Sequence, residues 1–246
     1  MRALRDEGAA TGAVTRLDPP TTLGLVGLEA GVASYAFYGH GGADRLLPLA
    51  VLAAVPDAAR AFHFGSYAML VGPVAATQRE LVEREHRRCL IAYDPNIRLK
   101  VEPDIARWRD TLQWMLPRTH LLKASEADLG LLYPGRAADD LAREWLVQGV
   151  ACVVVTHGAD GASAWRPGEA PRIEPVAVQV VDTVGAGGTF QAALLAGLAE
   201  HLVQSPAALR GIRLAPWQQV LRFAARAAAI TCSRRGADMP RREELC

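Results

Sequence analysis

Residues 181–190 read Val181-Asp182-Thr183-Val184-Gly185-Ala186-Gly187-Gly188-Thr189-Phe190, VDTVGAGGTF. An apolar run ends in an acidic residue, a turn nearly devoid of side chains follows, and a helical pattern then begins. Glycine at 185, 187 and 188 lets the backbone take positive φ and lets a ligand come close. The first amides of a helix lack partners within it, and the helix dipole places partial positive charge there. Backbone N–H groups of 185–188 are therefore suited to an anion, most naturally a phosphate. A plain strand-to-helix turn satisfies the same spacing. The P-loop pattern GxxxxGK[ST] occurs nowhere. The dinucleotide pattern GxGxxG fails here because residue 190 is Phe, and fails at Gly39–Asp44 because residue 44 is Asp.

The surroundings of this turn are those of an α/β protein. Residues 21–28 and 33–38 read as two strands joined at Glu29-Ala30-Gly31, a β-hairpin. From residue 46 apolar runs at 61–64, 89–93, 119–122, 151–156 and 176–181 alternate with helical patterns at 73–87, 103–116 and 137–148. This alternation predicts a largely parallel sheet covered by helices. After residue 189 the chain turns helical, and Val220, Phe223, Ala224, Ala227 and Ile230 line one apolar face of 216–233.

Composition narrows the function. The chain has 246 residues, half of them hydrophobic, enough for one sizeable core. A net charge of +1 gives no reason to expect nucleic acid or an anionic membrane as partner. Cys89, Cys152, Cys232 and Cys246 show no metal-ligand spacing and read as thiols of a reducing compartment. No apolar run reaches the ~18 residues of a membrane span. The first residues lack the apolar centre of a signal peptide, so a soluble cytoplasmic protein is expected. The opening hairpin is unusual for an α/β domain, which ordinarily starts on a core strand.

The string DTVGAG-TF followed by QAALLAGL closely resembles the C-terminal signature of the ribokinase-like (PfkB) carbohydrate kinases, the fructokinase branch especially. Other segments match in the family's order: the 21–47 hairpin and its exit, HFGS at 63–66, YDPNIR at 93–98, LLKASEADL at 121–129, VVVTHGADGASAW at 153–165 and AARAAAITCSRRGA at 224–237. The resemblance implies a single three-layer ribokinase-like domain over 1–246, with a lid hairpin at 21–38 and an α/β core carrying the nucleotide site at 46–246.

It also implies a reaction, in which a sugar hydroxyl attacks the γ-phosphate of ATP with Mg²⁺ as cofactor. Phosphoryl transfer of this kind depends on positioning and charge stabilisation. By resemblance Gly185, Ala186, Gly187 and Gly188 form the anion hole and Asp182 organises it. Lys123, Ser125 and Asp128 lie on the phosphate and magnesium side, Arg98 stabilises charge, and Thr156, Gly158 and Gly161 contour the nucleotide site. Ala225 flanks the adenine, Phe37 and Tyr38 face the sugar, and the loops at Val184 and Thr231 hold a monovalent cation such as K⁺. A homodimer through the lid hairpin is a further expectation.

Three departures stand out. The family's motif ends in an aspartate, the general base, where this chain has Gly188. Loss of a positioned base costs ~10²–10⁴ in rate, about 3–5 kcal/mol of barrier. Gly39 stands where the family often has arginine. The family's first strand, with its acidic sugar contact and following glycine pair, has no counterpart. The expected function is therefore a sugar-kinase lineage with impaired catalysis; a non-catalytic nucleotide binder and a decayed fragment are the alternatives.

Overall fold

The computed structural model describes residues 1–29 and 32–245. After a short helix α1 (Arg2–Asp6), strands β1 (Leu23–Glu29) and β2 (Val32–Tyr38) form the expected antiparallel hairpin, with Leu23 opposite Tyr38 and Glu29 opposite Val32. The expected turn at Ala30-Gly31 lies outside the described residues, as do the side chains of 28–35.

The second sheet has six strands in sequence order: β3 (Ala61–Gly65), β4 (Leu90–Asp94), β5 (Leu121–Ser125), β6 (Cys152–Thr156), β7 (Ala162–Trp165) and β8 (Arg172–Ile173). The first three pairings are parallel and the last two antiparallel, giving a mixed sheet. Period-two alternation sorts its side chains onto two faces. Ile91, Tyr93, Leu122, Val153 and Val155 join one core, under α2 (Val74–Glu85), α3 (Ile105–Met115) and α5 (Ala138–Val147). Leu90, Ala92, Leu121, Cys152 and Val154 join the other, under α6 (Ala186–Glu200) and α8 (Leu214–Cys232). Burial on both faces explains why the central strands read as continuous apolar runs.

Three expectations need correction. Residues 176–181 form no strand. Val176, Val180 and Val181 are exposed, and no strand lies beside them among the described residues. Alternation suggested a pairing, but no neighbour supplies the hydrogen bonds; instead Val181 N–H and Asp182 N–H both donate to Cys232 O. The strand expected at 119–122 runs from 121 to 125, because the buried Lys123 hides its end. Missed altogether were β7, β8, the short helix α4 (Glu126–Leu132) and α7 (Pro206–Gly211).

His120, just ahead of β5, is buried and its Nδ1 accepts the Ile91 N–H at 3.0 Å. That role needs the neutral ring. Burial, reinforced by the positive charges of Arg210 and His86, brings its pKa down to about 4. The unfolded chain therefore binds a proton between the ordinary histidine value and about 4, and the folded chain does not. Stability should fall by on the order of 2 kcal/mol as pH drops through this window. Urea titrations from pH 7 to 4 should show this loss, and His120→Asn should flatten it.

Candidate active site

The strand ends β3 to β6 and the N-terminus of α6 open on one side of the sheet, where ligands bind in folds of this kind. The turn leading into α6 is built from three restraints. Gly185 is the N-cap with φ +83°, and a Cβ there would stand 2.7 Å from Ala237 Cβ and 2.9 Å from Ala237 Cα. Asp182 is buried; its Oδ1 accepts Val184 N–H at 2.8 Å and its Oδ2 accepts Gly236 N–H at 2.9 Å. Those two bonds hold its carboxyl below the usual carboxylate range. Finally, Thr189 N–H closes onto Gly185 O at 2.8 Å and Ala186 N–H onto Thr183 O at 3.3 Å. Gly187 and Gly188 are left exposed in the first turn of α6, where helix geometry gives their N–H groups no acceptor.

Beneath this turn lies a buried ion pair. Lys123 Nζ is 2.9 Å from Asp94 Oδ2, and the two side chains are only 4% and 8% exposed. A Cβ at Gly187 would stand 3.2 Å from Lys123 Nζ, so the ammonium lies against the backbone of that residue. Burial raises the Asp94 carboxyl, against the pull of Lys123. Asp94 Oδ1 is buried without a hydrogen-bond partner.

Other expected residues take different parts. Ser125 and Asp128 form a capping box at α4: Ser125 Oγ accepts Asp128 N–H at 3.1 Å and donates to Asp128 Oδ2 at 2.6 Å. Asp128 Oδ1 accepts Ile97 N–H at 2.9 Å, which fixes the exit of β4. The Asp128 carboxylate is thereby committed to the backbone, and no cluster of three metal-ligating side chains occurs among the described residues.

Arg98 is half-buried, with Nη1 donating to Ile97 O at 2.8 Å. Thr156 ends β6; His157 N–H donates to Gly161 O at 2.9 Å across a turn in which Gly158 and Gly161 have φ +59° and +84°. Val184 and Thr231 belong to adjoining segments, since a Cβ at Gly185 would lie 3.7 Å from Thr231 Cγ2; Thr231 Oγ1 donates to Thr189 Oγ1 at 3.0 Å. Ala225 is half-buried on α8.

At the base of the hairpin, Phe37 meets Tyr67 edge-on at 6.0 Å, whereas Tyr38 is 64% exposed. A side chain at Gly39 would collide with Thr22, so the hairpin base is built around glycine there. Sequence reasoning missed Asp94, Asp44 and Tyr67. Tyr67 Oη donates to Asp44 Oδ2 at 3.2 Å. Asp94 lay within the YDPNIR stretch, but its partner in β5 is a contact only the fold reveals.

A mixed α/β sheet with a glycine turn over a buried lysine at its open end is the arrangement these residues make. The model of the pfkB family of carbohydrate kinases matches residues 21–244, and the chain belongs to that family. A fructokinase from Rhizobium leguminosarum bv. trifolii is 37% identical over 179 residues, covering 73% of this chain and 55% of the relative. Fructokinase-2 of Solanum lycopersicum is 28% identical over 223 residues, covering 88% of this chain and 66% of its own length. The chain thus spans just over half to about two thirds of these relatives. Among solved structures, Vibrio cholerae O395 fructokinase bound to fructose, ADP and calcium superposes with a TM-score of 0.83 at 22% identity, covering 99% of this chain and 78% of that one. Xylella fastidiosa fructokinase with bound ATP gives 0.83 at 24%, covering 96% and 75%. These two show the ribokinase-like fold.

The two glycines of the turn should respond oppositely to alanine. Gly185→Ala forces a positive φ and a clash with Ala237, and should cost about 1–3 kcal/mol. Gly188→Ala meets nothing within 4 Å. It should stabilise the helix by about 0.5–1 kcal/mol. Denaturant midpoints of the two variants check both signs.

Proposed function

We propose that this chain holds the terminal phosphate of ATP at residues 185–188 and is a fructokinase-type phosphotransferase whose transfer step is severely impaired. The observation that carries this reading is Gly188. It is exposed at the first turn of α6, and the space its Cβ would enter is empty for 4 Å. A proton acceptor is needed where a sugar hydroxyl would approach, and this position offers none. Of the neighbouring carboxylates, Asp182 is bonded to Val184 and Gly236, Asp128 to Ser125 and Ile97, and Asp94 is paired with Lys123 through one oxygen. The Gly187 and Gly188 amides and the Lys123 ammonium suit phosphate binding, and Arg98 is the proposed further positive charge.

The same features support a second reading, a nucleotide-binding protein without turnover. The half-buried Ala225 face of α8 and the 157–161 turn are the proposed walls for the base and ribose. Magnesium would enter with ATP, its ligands drawn from phosphate oxygens and water. The loops at Val184 and Thr231 are the proposed seat of a monovalent cation such as K⁺. Leu23, Leu25, Val26 and Tyr38 are exposed on the hairpin. Two strands alone are marginal in water, which favours a second copy covering them. No helix is long and apolar enough to cross a membrane among the described residues; a cytoplasmic setting belongs to the proposal.

Restoring the base tests the reading. In protein expressed from the full reading frame, Gly188→Asp should raise ATP-dependent fructose phosphorylation by ~100-fold or more, the worth of a general base. ADP release measured with and without fructose checks it. A parent protein already as fast as its Gly188→Asp variant would show that the base lies elsewhere.

A further inference from the structure

Lys123 occupies an electrostatically awkward place. Its ammonium is buried, and a buried charge is costly unless it is paired. It also lies against Gly187, in the first turn of α6, where the helix dipole is positive and a cation is disfavoured. Nothing in local propensity puts a lysine there. Asp94, opposite it on β4, is the group that pairs with it and holds it in place, at 2.9 Å.

The pairing is only half used on the carboxylate side. Oδ2 takes the ammonium, while Oδ1 has no partner and is buried. A carboxylate placed purely for stability would have both oxygens satisfied, since an unpaired buried acceptor costs about 1–3 kcal/mol. An anion bound across Gly187 and Gly188 would relieve the other half of the frustration, by placing negative charge between a helix N-terminus and a buried cation.

We infer that Asp94 is a positioning residue: it holds the Lys123 ammonium against the first turn of α6, where the two together form the cationic floor of a seat for the terminal phosphate of a nucleoside triphosphate. The inference rests on reading 185–188 as the phosphate site. Asp94 acts through Lys123 and itself touches no ligand.

Calorimetric titration with ATP and with adenosine, which lacks the phosphates, separates this role from a merely structural one. Asp94→Asn should weaken ATP by ~10-fold or more, about 1.4 kcal/mol, and leave adenosine within ~2-fold. Lys123→Met should do the same. The variant Asp94→Leu/Lys123→Met replaces the whole pair with apolar groups, a change buried ion pairs often tolerate, and so serves if Asp94→Asn fails to fold. It should bind ATP no more than ~2-fold worse than Lys123→Met alone. Undiminished ATP affinity in Asp94→Asn overturns the inference, as do equal losses for ATP and adenosine, or a double variant far weaker than Lys123→Met. If the unaltered protein binds adenosine and ATP alike, the phosphate-site reading beneath the inference falls as well.

Discussion

A lysine ammonium buried at the positive end of a helix persists only while a carboxylate holds it there, and in this chain that carboxylate is Asp94. The pair ties the carboxyl end of β4 to that of β5 on the sheet face covered by α6. The geometry of the open end follows from it. Asp128 locks the β4 exit from one side through Ile97, and Asp182 locks the α6 entrance from the other through Gly236. Gly187 has no side chain because the ammonium occupies the space beside it.

Function depends on the balance of charge this creates. Lys123 lies beneath the exposed first turn of α6, Asp182 and Asp128 hold backbone amides, and Asp94 holds the ammonium through one oxygen. On the proposed function, such a site would bind an anion and, with Gly188 in the turn, would supply no proton acceptor there. The geometry of the turn rests on Gly185, Asp182 and the ammonium of Lys123 beneath it. Gly188 faces open space, so the helix forms and the turn closes with no side chain at that position.

Much of this was readable in the residues. The hairpin, the four parallel strands and the long helices follow from alternation and apolar periodicity, and the turn into α6 from its glycines. The legible features are local ones. Residues 176–181 misled because a strand is a property of two segments, and the partner cannot be read from one. Lys123 hid the end of β5 for a related reason: a charged residue reads as exposed until its partner 29 residues away is known. Asp128 read as lying on the phosphate and magnesium side; that its oxygens cap α4 and pin Ile97 is a contact pattern only the fold supplies. Tyr67 and Asp44 were invisible because their contact joins the lid base to a strand exit.

The measurement that bears most directly on the phosphate site is a crystal structure of the protein with a non-hydrolysable ATP analogue. The expected result is a terminal phosphate with oxygens at about 3 Å, hydrogen-bond distance, from the Gly187 and Gly188 amides and from Lys123 Nζ. A nucleotide whose phosphates lie away from residues 185–188, with Lys123 still facing only Asp94, would contradict it.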